Sequence, residues 1–119
     1  MKVGIISDIH SNYEALQSVL THLTKRGVEK ILCAGDLVGY NNKPNDVVSE
    51  VRKRNILSVK GNHDRAVAEN DNFMGNSVAQ KGLKHNNRVI TSDNRSFLQD
   101  LPQQRRLDVD GTEDRKSVV

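Results

Sequence analysis

Polar side chains with metal-binding chemistry follow three short apolar segments of the sequence. Asp8 and His10 come after the first segment, Asp36 after the second and Asn62 after the third. Together they offer two carboxylates, an imidazole and an amide oxygen, without a thiolate. This mixture of oxygen and nitrogen donors suits Mn, Fe, Ni, Zn or Mg rather than a cysteine-rich structural zinc site. We therefore take Asp8, His10, Asp36 and Asn62 as candidate metal ligands.

The spacing of these residues indicates how they could act together on bound ions. Asp8 and His10 are two positions apart, so on an extended strand end both side chains point the same way. Asp36 could bridge two ions about 3.5–4 Å apart, the separation that two-metal sites use for in-line phosphoryl displacement. Two such ions would acidify a bridging water to a hydroxide and hold the phosphate oxygens against it.

His63 and Asp64 are the candidate catalytic residues beside this site. His63 could stabilise developing charge or protonate the leaving oxygen. Asp64 could accept a hydrogen bond from the imidazole and fix its tautomer. Taken singly, Asp8 as a helix cap or Asp36 as a turn residue is the simpler interpretation. The metal site is preferred because the four candidate ligands fall at one predicted edge.

The elements that must position these residues read as an α/β fold. Residues 3–6, 31–34 and 56–59 are unbroken apolar runs, which are typical of strands buried on both faces of a parallel sheet. In such a sheet the carboxyl ends of the strands share one edge, where ligands bind. We expect a parallel βαβαβ sheet with right-handed crossovers, flanked by helices.

Helical patterns fill both connections between the strands. Apolar residues at helical spacing form one face of the first helix: Tyr13, Leu16, Val19, Leu20 and Leu23. Residues 11–14 match a capping box at its start, and Gly27 suits the position after its end. Pro44 fits the first turn of the second helix, whose buried side would carry Val47, Val48 and Val51.

The pattern after residue 64 predicts two further helices and then weakens. Residues 76–88 form a helix with Val78, Leu83 and Val89 inward, and Asn86 and Asn87 mark its end. Thr91 or Ser92 caps the next helix, which Pro102 closes and which carries Phe97, Leu98 and Leu101. A strand over 106–109 and a turn at 110–111 follow. Residues 112–119 hold few apolar side chains, so we expect a frayed tail after a domain of residues 1–111.

Composition limits the remaining possibilities. A chain of 119 residues has room for one domain. The net charge of +3 and the pI near 9.2 raise the possibility of a nucleic-acid-binding module, but the basic residues are dispersed among acids, which favours a solvated surface.

Cys33 should be a buried free thiol in a reducing compartment. Without a signal peptide or an apolar run that could cross a bilayer, the sequence predicts a cytoplasmic protein without membrane contact.

Three motifs in order resemble those of the calcineurin-like metallophosphoesterases, above all their small bacterial and archaeal members. They are Asp-x-His at 8–10, Gly-Asp at 35–36 and Gly-Asn-His-Asp at 61–64, and the likeness extends to about residue 102. The resemblance implies a four-layer sandwich of two facing sheets and hydrolysis of small phosphate mono- or diesters. It implies a first ion on Asp8, His10 and Asp36, and a second ion that shares Asp36 and adds Asn62. It also implies that His63 assists the departing group and that Asp64 orients His63.

The sequence departs from that family after His63. The family's later half supplies further ligands in a His-Gly motif and a Gly-His-x-His motif, whereas of the four histidines here His85 alone follows His63. We therefore expect a shortened first half of the family fold, a truncated metallophosphoesterase that binds one ion or none. The alternative to an active enzyme is an impaired homologue that binds metal, manganese included, weakly. An apolar face without its second sheet should drive formation of a homo-oligomer.

Overall fold

The structure, a computed structural model, describes residues 1–72 and 75–106, and the backbone of Ser117 and Val118. Its elements in chain order are β1 (Val3–Ile6), α1 (Tyr13–Lys25), β2 (Lys30–Cys33), α2 (Pro44–Lys53), β3 (Leu57–Ser58), α3 (Asn62–Ala68), α4 (Ser77–Val89), α5 (Ser92–Asp100), β4 (Arg105–Arg106) and β5 (Ser117–Val118). Within these ranges no helix combines the length and the apolar character that crossing a bilayer requires.

The central sheet has the order β1-β2-β3, and all three strands are parallel. Val3 pairs with Lys30 at its start, and Cys33 pairs with Ser58 at the far end. The predicted βαβαβ unit is thus confirmed. Because the strands run in one direction, the segments that carry the candidate ligands leave the sheet at the same edge.

Helix α1 covers the sheet with a narrower apolar face than predicted. Leu16 and Leu20 are buried, whereas Val19 is 41% exposed, which corrects its assignment to the core. Val19 instead lines an open groove of about 300 Å³ beside β1, an edge strand. Asn12 caps the helix by accepting from the Ala15 backbone N–H at 3.1 Å, one residue later than the predicted capping box.

Helix α2 follows the prediction. It begins at Pro44, whose missing N–H costs nothing in a first helical turn. Val47, Val48 and Val51 are fully buried in the main core cluster, with Leu37 from the loop after β2. One compact apolar core therefore lies beneath the edge that carries the polar loops.

Helix α4 buries a face that sequence periodicity does not reveal. Leu83 is buried as predicted, but Val78 is 63% exposed and Val89 also faces outward, so both inward assignments are wrong. The residues that replace them on the buried face are small or polar: Ala79, Gly82, Asn86 and Asn87. Amide side chains can be buried where their hydrogen bonds are satisfied. Helix α4 therefore packs with Leu83 in the main apolar core and with its buried amides against polar loops.

Helix α5 and the chain end match the prediction in part. Thr91 caps α5 by accepting from the Asn94 backbone N–H, and Leu98 and Leu101 are buried. Strands β4 and β5 pair antiparallel, Arg105 with Val118 and Arg106 with Ser117. The frayed tail expected over 112–119 stays a prediction. The predicted turn at 110–111 and the remainder of that tail lie outside the described residues. The division after residue 111 stays a prediction.

Candidate metal centre

The loops after β1 and β2 are joined by backbone hydrogen bonds. Asp8 N–H donates to the Gly35 carbonyl at 3.1 Å, and His10 N–H donates to the Asp36 carbonyl at 3.0 Å. Asp8, His10 and Asp36 all have left-handed backbone, with φ of 57°, 50° and 59°. Such conformations cost non-glycine residues about 1–3 kcal/mol each, and they concentrate at functional sites. The two ligands of the first loop therefore converge by this strained backbone, not by the extended strand end that their spacing predicts.

Three candidate ligands meet at this edge. One donor atom from each of Asp8, His10 and Asp36 lies within 4.8 Å of the other two. The Asp8 side chain is 63% exposed, so the cluster opens to solvent. The Ser7 hydroxyl donates to the Asp8 carboxylate at 2.8 Å and holds its pKa below the ordinary value. An ionised, accessible carboxylate is what a divalent cation requires.

The imidazole of His10 is oriented by the backbone. Its Nδ1 lies 3.1 Å from the Val38 carbonyl oxygen. Because a carbonyl accepts only, the hydrogen-bond network assigns the ring proton to Nδ1. Nε2 then carries the free lone pair, and it lies 3.4 Å from Asp8 Oδ1. Metal-bound histidines are oriented in this way, with the second ring nitrogen donating to a carbonyl or carboxylate.

Asp36 connects the cluster to α3. Its Oδ1 accepts from the His63 backbone N–H at 3.0 Å, in the first turn of that helix. A Cβ on Gly61 would come within 2.7 Å of Asp36 Cγ, so the absence of a side chain there leaves room for the carboxylate. Asn62, the fourth predicted ligand, stands between Gly61 and His63 at the start of α3 and is exposed. Its role as a ligand stays a prediction.

Asp8, His10 and Asp36 fit a divalent ion. They supply two carboxylates and one imidazole whose lone pair faces the cluster, a donor set that suits Mn²⁺, Fe²⁺, Zn²⁺ or Mg²⁺. Three protein ligands also leave coordination positions for water and substrate, as catalytic sites require.

His63 lies beside the cluster with an unsatisfied nitrogen. The residue is buried, and within the described part of the chain its Nδ1 has no hydrogen-bond partner. Its ring centroid lies 4.8 Å from that of His10. Burial lowers the pKa of His63, while the negative charge of Asp36 opposes that shift. A buried polar atom without a partner is rare and points to a role with a ligand.

Asp64 has a different role from the predicted one. The carboxylate is fully buried and accepts four backbone N–H bonds at 2.8–3.3 Å, from Asp36, Leu37, Val38 and Gly61. Burial raises its pKa to about 6, and the backbone donors oppose that rise. Both oxygens are thus engaged by the backbone, and His63 Nδ1 is unpartnered. The predicted hydrogen bond from Asp64 to that imidazole nitrogen is wrong. Asp64 joins the loop after β2 to α3.

Two site residues were missed by the sequence analysis. Tyr40 places its ring 5.0 Å from His10 and 4.9 Å from His63, between centroids. Asn86, assigned to a helix end, is fully buried and bonds to both ligand-bearing loops. Tyr40 stands four residues after Asp36, in the loop that follows β2, and this position was a usable signal. For Asn86 the sequence offers no such signal, because a helical asparagine is ordinarily exposed.

Comparison with known proteins agrees with this geometry. The chain is 43% identical over 101 residues to the uncharacterized protein MJ0912 of Methanocaldococcus jannaschii, an alignment that covers 84% of this chain and 42% of that protein. The fold is similar to the crystal structure of a metallophosphoesterase from Sphaerobacter thermophilus, with a TM-score of 0.73 at 35% identity over 92% of this chain and 44% of that one. The hypothetical protein PH1004 from Pyrococcus horikoshii shares the fold, with a TM-score of 0.79 at 22% identity, covering 93% of this chain and 52% of that one.

This chain therefore spans about half the length of the relatives it matches. The sequence model of the calcineurin-like phosphoesterase superfamily domain matches residues 1–116, nearly the whole chain. The three motifs that carry the likeness are those that the fold brings to one edge of the sheet. The chain belongs to the calcineurin-like phosphoesterase superfamily.

Proposed function

We propose that this chain carries the metal-binding part of an enzyme that hydrolyses small phosphate esters. The observation that supports it most is the convergence of Asp8, His10 and Asp36 donor atoms within 4.8 Å, at the open edge of a parallel sheet. Membership of a phosphoesterase family supports the reaction class. A bound divalent ion would polarise the phosphate and lower the pKa of an attacking water. Manganese is the first ion to test.

The side chains around the ion divide the work. Asp8, His10 and Asp36 would hold it, and Asn62 with Asp36 would hold a second ion. His63 is the proposed proton donor to the leaving oxygen, because its ring lies beside that of His10 and its Nδ1 has no partner in the described structure. Tyr40, which is partly exposed beside both rings, would line the substrate side.

A second candidate function is metal binding without turnover. The described residues bring three ligands together, whereas the relatives are about twice as long as this chain. Missing ligands lower metal affinity steeply, since losing even an outer hydrogen-bond partner of a ligand typically costs about 10–100-fold. An impaired homologue would bind Mn²⁺ weakly and leave phosphodiesters intact.

The exposed edge of the sheet supports assembly of copies. Ile5 on edge strand β1 is 69% exposed, and Val19 on α1 is exposed near it. Burying apolar surface is worth about 25 cal/mol per Å², so this face favours a homo-oligomer.

The buried free thiol of Cys33 fits a cytoplasmic location. The dispersed basic residues give no support to a nucleic-acid-binding function.

Hydrolysis of bis(p-nitrophenyl) phosphate with added Mn²⁺ tests the proposal. Asp36→Asn should lower the rate at least about a hundredfold, because it removes a ligand shared by both proposed ions. Asp46→Asn is the matched control, since Asp46 is an exposed carboxylate in the first turn of α2. Equal rates for all three proteins would contradict the proposed site. Mn²⁺ binding without hydrolysis in the unmodified chain would support the impaired homologue.

A further inference from the structure

Asn86 is fully buried, and its side-chain amide makes four hydrogen bonds, three of them to the loops that carry the candidate ligands. Its Oδ1 accepts from the Ser11 hydroxyl at 2.6 Å and from the Gly39 backbone N–H at 2.9 Å. Its Nδ2 donates to the carbonyl oxygens of Asn41 and Gly82, each at 2.8 Å. The Gly39 donor and the two carbonyl acceptors fix which side of the amide is oxygen. One side chain therefore joins α4 to the loops after β1 and β2.

The bond to Gly39 connects this amide to a proposed metal ligand. Gly39 N–H and the Val38 carbonyl belong to the same peptide group. The N–H side donates to Asn86 Oδ1, and the C=O side accepts from His10 Nδ1 at 3.1 Å. Rotating this peptide would break both bonds together. Hydrogen bonds on the two sides of one peptide also polarise each other, which strengthens both.

The two residues of this peptide differ in how firmly they are held: Val38 is fully buried and its N–H donates to Asp64 Oδ1 at 3.3 Å, whereas Gly39 is the flexible side. Gly39 has φ of +94°, a conformation that the glycine backbone reaches freely and that allows alternative peptide orientations. Asn41, two residues later, donates from Nδ2 to the His10 carbonyl at 2.8 Å, and Asn86 holds Asn41 by its carbonyl. The Asn86 side chain thus restrains two groups: the Val38–Gly39 peptide, which contacts the His10 ring, and Asn41, which contacts the His10 backbone.

Close packing of α4 makes these bonds possible. A Cβ on Gly82, one helical turn before Asn86, would lie 2.6 Å from the Tyr40 Cα. With glycine there, the helix approaches the loop closely enough for a short side chain to span the gap. The small residue and the amide therefore act as a pair, at positions i and i+4 of one helix face.

We propose that Asn86 is a positioning residue for the metal centre: through the Val38–Gly39 peptide it sets the ring orientation and the Nδ1–H tautomer of His10. This inference rests on the proposed function for its meaning, but the orientation of His10 can be measured without metal. Removing Asn86 frees the peptide, so Nε2 no longer faces Asp8 as a fixed acceptor. Outer hydrogen-bond partners of metal ligands act in this way.

The test compares Asn86→Ala with Asn87→Ala. Asn87 is the adjacent amide on the same helix, is also buried, and donates from Nδ2 to Asp71 and Asn72, away from the ligand-bearing loops. Ring nitrogen NMR of the metal-free protein at pH 8 should show the Nδ1–H tautomer of His10 in the unmodified chain and in Asn87→Ala. Asn86→Ala should show mixed tautomers. The Mn²⁺ dissociation constant should rise at least about tenfold in Asn86→Ala and stay within about twofold in Asn87→Ala.

The outcomes separate this inference from the proposed function. An Nε2–H tautomer of His10 in the unmodified chain would overturn the inference without any variant, and so would an unchanged His10 tautomer in Asn86→Ala. Equal losses of Mn²⁺ affinity in the two alanine variants would reduce Asn86 to a general stabilising role and overturn it as well. If the tautomers behave as expected but the unmodified chain binds no Mn²⁺, the positioning role stands and the proposed function fails.

Discussion

His10 Nδ1 lies 3.1 Å from the carbonyl oxygen of Val38, and this one contact decides which ring nitrogen faces Asp8. The two residues come from different loops that leave neighbouring parallel strands. The loops are held together by backbone hydrogen bonds and by left-handed conformations at the ligand positions. The site is thus fixed by its backbone before any cation arrives, which lowers the entropic cost of binding one.

Gly61→Ala should damage the metal centre through sterics alone. The new methyl group would lie within 2.7 Å of Asp36 Cγ and displace the carboxylate. We expect the Mn²⁺ dissociation constant to rise at least about tenfold, as for other disturbed ligands. Gly27→Ala is the control. Gly27 differs from the extended Gly61 in its left-handed backbone, with φ of +74°, but a Cβ there meets nothing within 4 Å. That variant should lose about 1 kcal/mol of stability and retain Mn²⁺ affinity. Equal Mn²⁺ affinity for Gly61→Ala and the unmodified chain would contradict the prediction.

Asp64→Asn should destabilise the fold. Asparagine replaces one acceptor oxygen with a donor, so two of the four backbone N–H groups lose their partner in a buried setting. Unsatisfied buried donors cost about 1–3 kcal/mol each, so for two of them we expect a loss of about 2–6 kcal/mol in unfolding free energy. Urea titrations followed by circular dichroism measure this loss. The exposed control Asp46→Asn should change stability by less than about 0.5 kcal/mol. A midpoint for Asp64→Asn that matches this control would show that the four bonds contribute little.

Cys33 should resist thiol reagents in the native protein. The side chain is fully buried on β2, and burial raises its pKa to about 11. At pH 8 about one thiol in a thousand would be ionised, against about one in four for an ordinary cysteine. Because the folded pKa is raised, the native reaction should accelerate about tenfold per pH unit as pH rises toward that value. Ellman's reagent in buffer and in urea tests both statements. Equal rates in the two media would contradict the buried assignment.

The apolar edge of the sheet should control the oligomeric state. Ile5 on β1 is largely exposed in a position where a second copy could cover it. We expect light scattering to show a dimer or larger assembly for the unmodified chain, and a shift toward monomer for Ile5→Lys. Val78→Lys is the control, because Val78 is equally prominent but lies on α4, away from that edge. A monodisperse, folded monomer of the unmodified chain would refute self-association.

The elements that apolar periodicity determines could be predicted from the sequence. Unbroken apolar runs predicted the three parallel strands, and Asp8, His10 and Asp36 at the ends of the first two lie close together, whereas the ligand role of Asn62 stays a prediction. The roles of Asp64 and Asn86 could not be predicted in this way. Both depend on which backbone groups lie opposite them, and the groups that belong to other loops are 26 to 47 residues away in sequence. The inward assignments of Val19 and Val78 were wrong for a related reason. Periodicity predicts an apolar face on a helix, but the element that packs against the helix decides which residues of that face are buried.

The metal centre is tested most directly by equilibrium binding of Mn²⁺, followed through the paramagnetic resonance signal of the free ion. The unmodified chain and Asp46→Asn should bind with the same affinity. Asp36→Asn should bind at least about tenfold more weakly, because it loses a ligand of the Asp8–His10–Asp36 cluster. Binding by Asp36→Asn that equals the unmodified chain, or binding by the folded chain no tighter than by the chain in urea, would contradict the assignment.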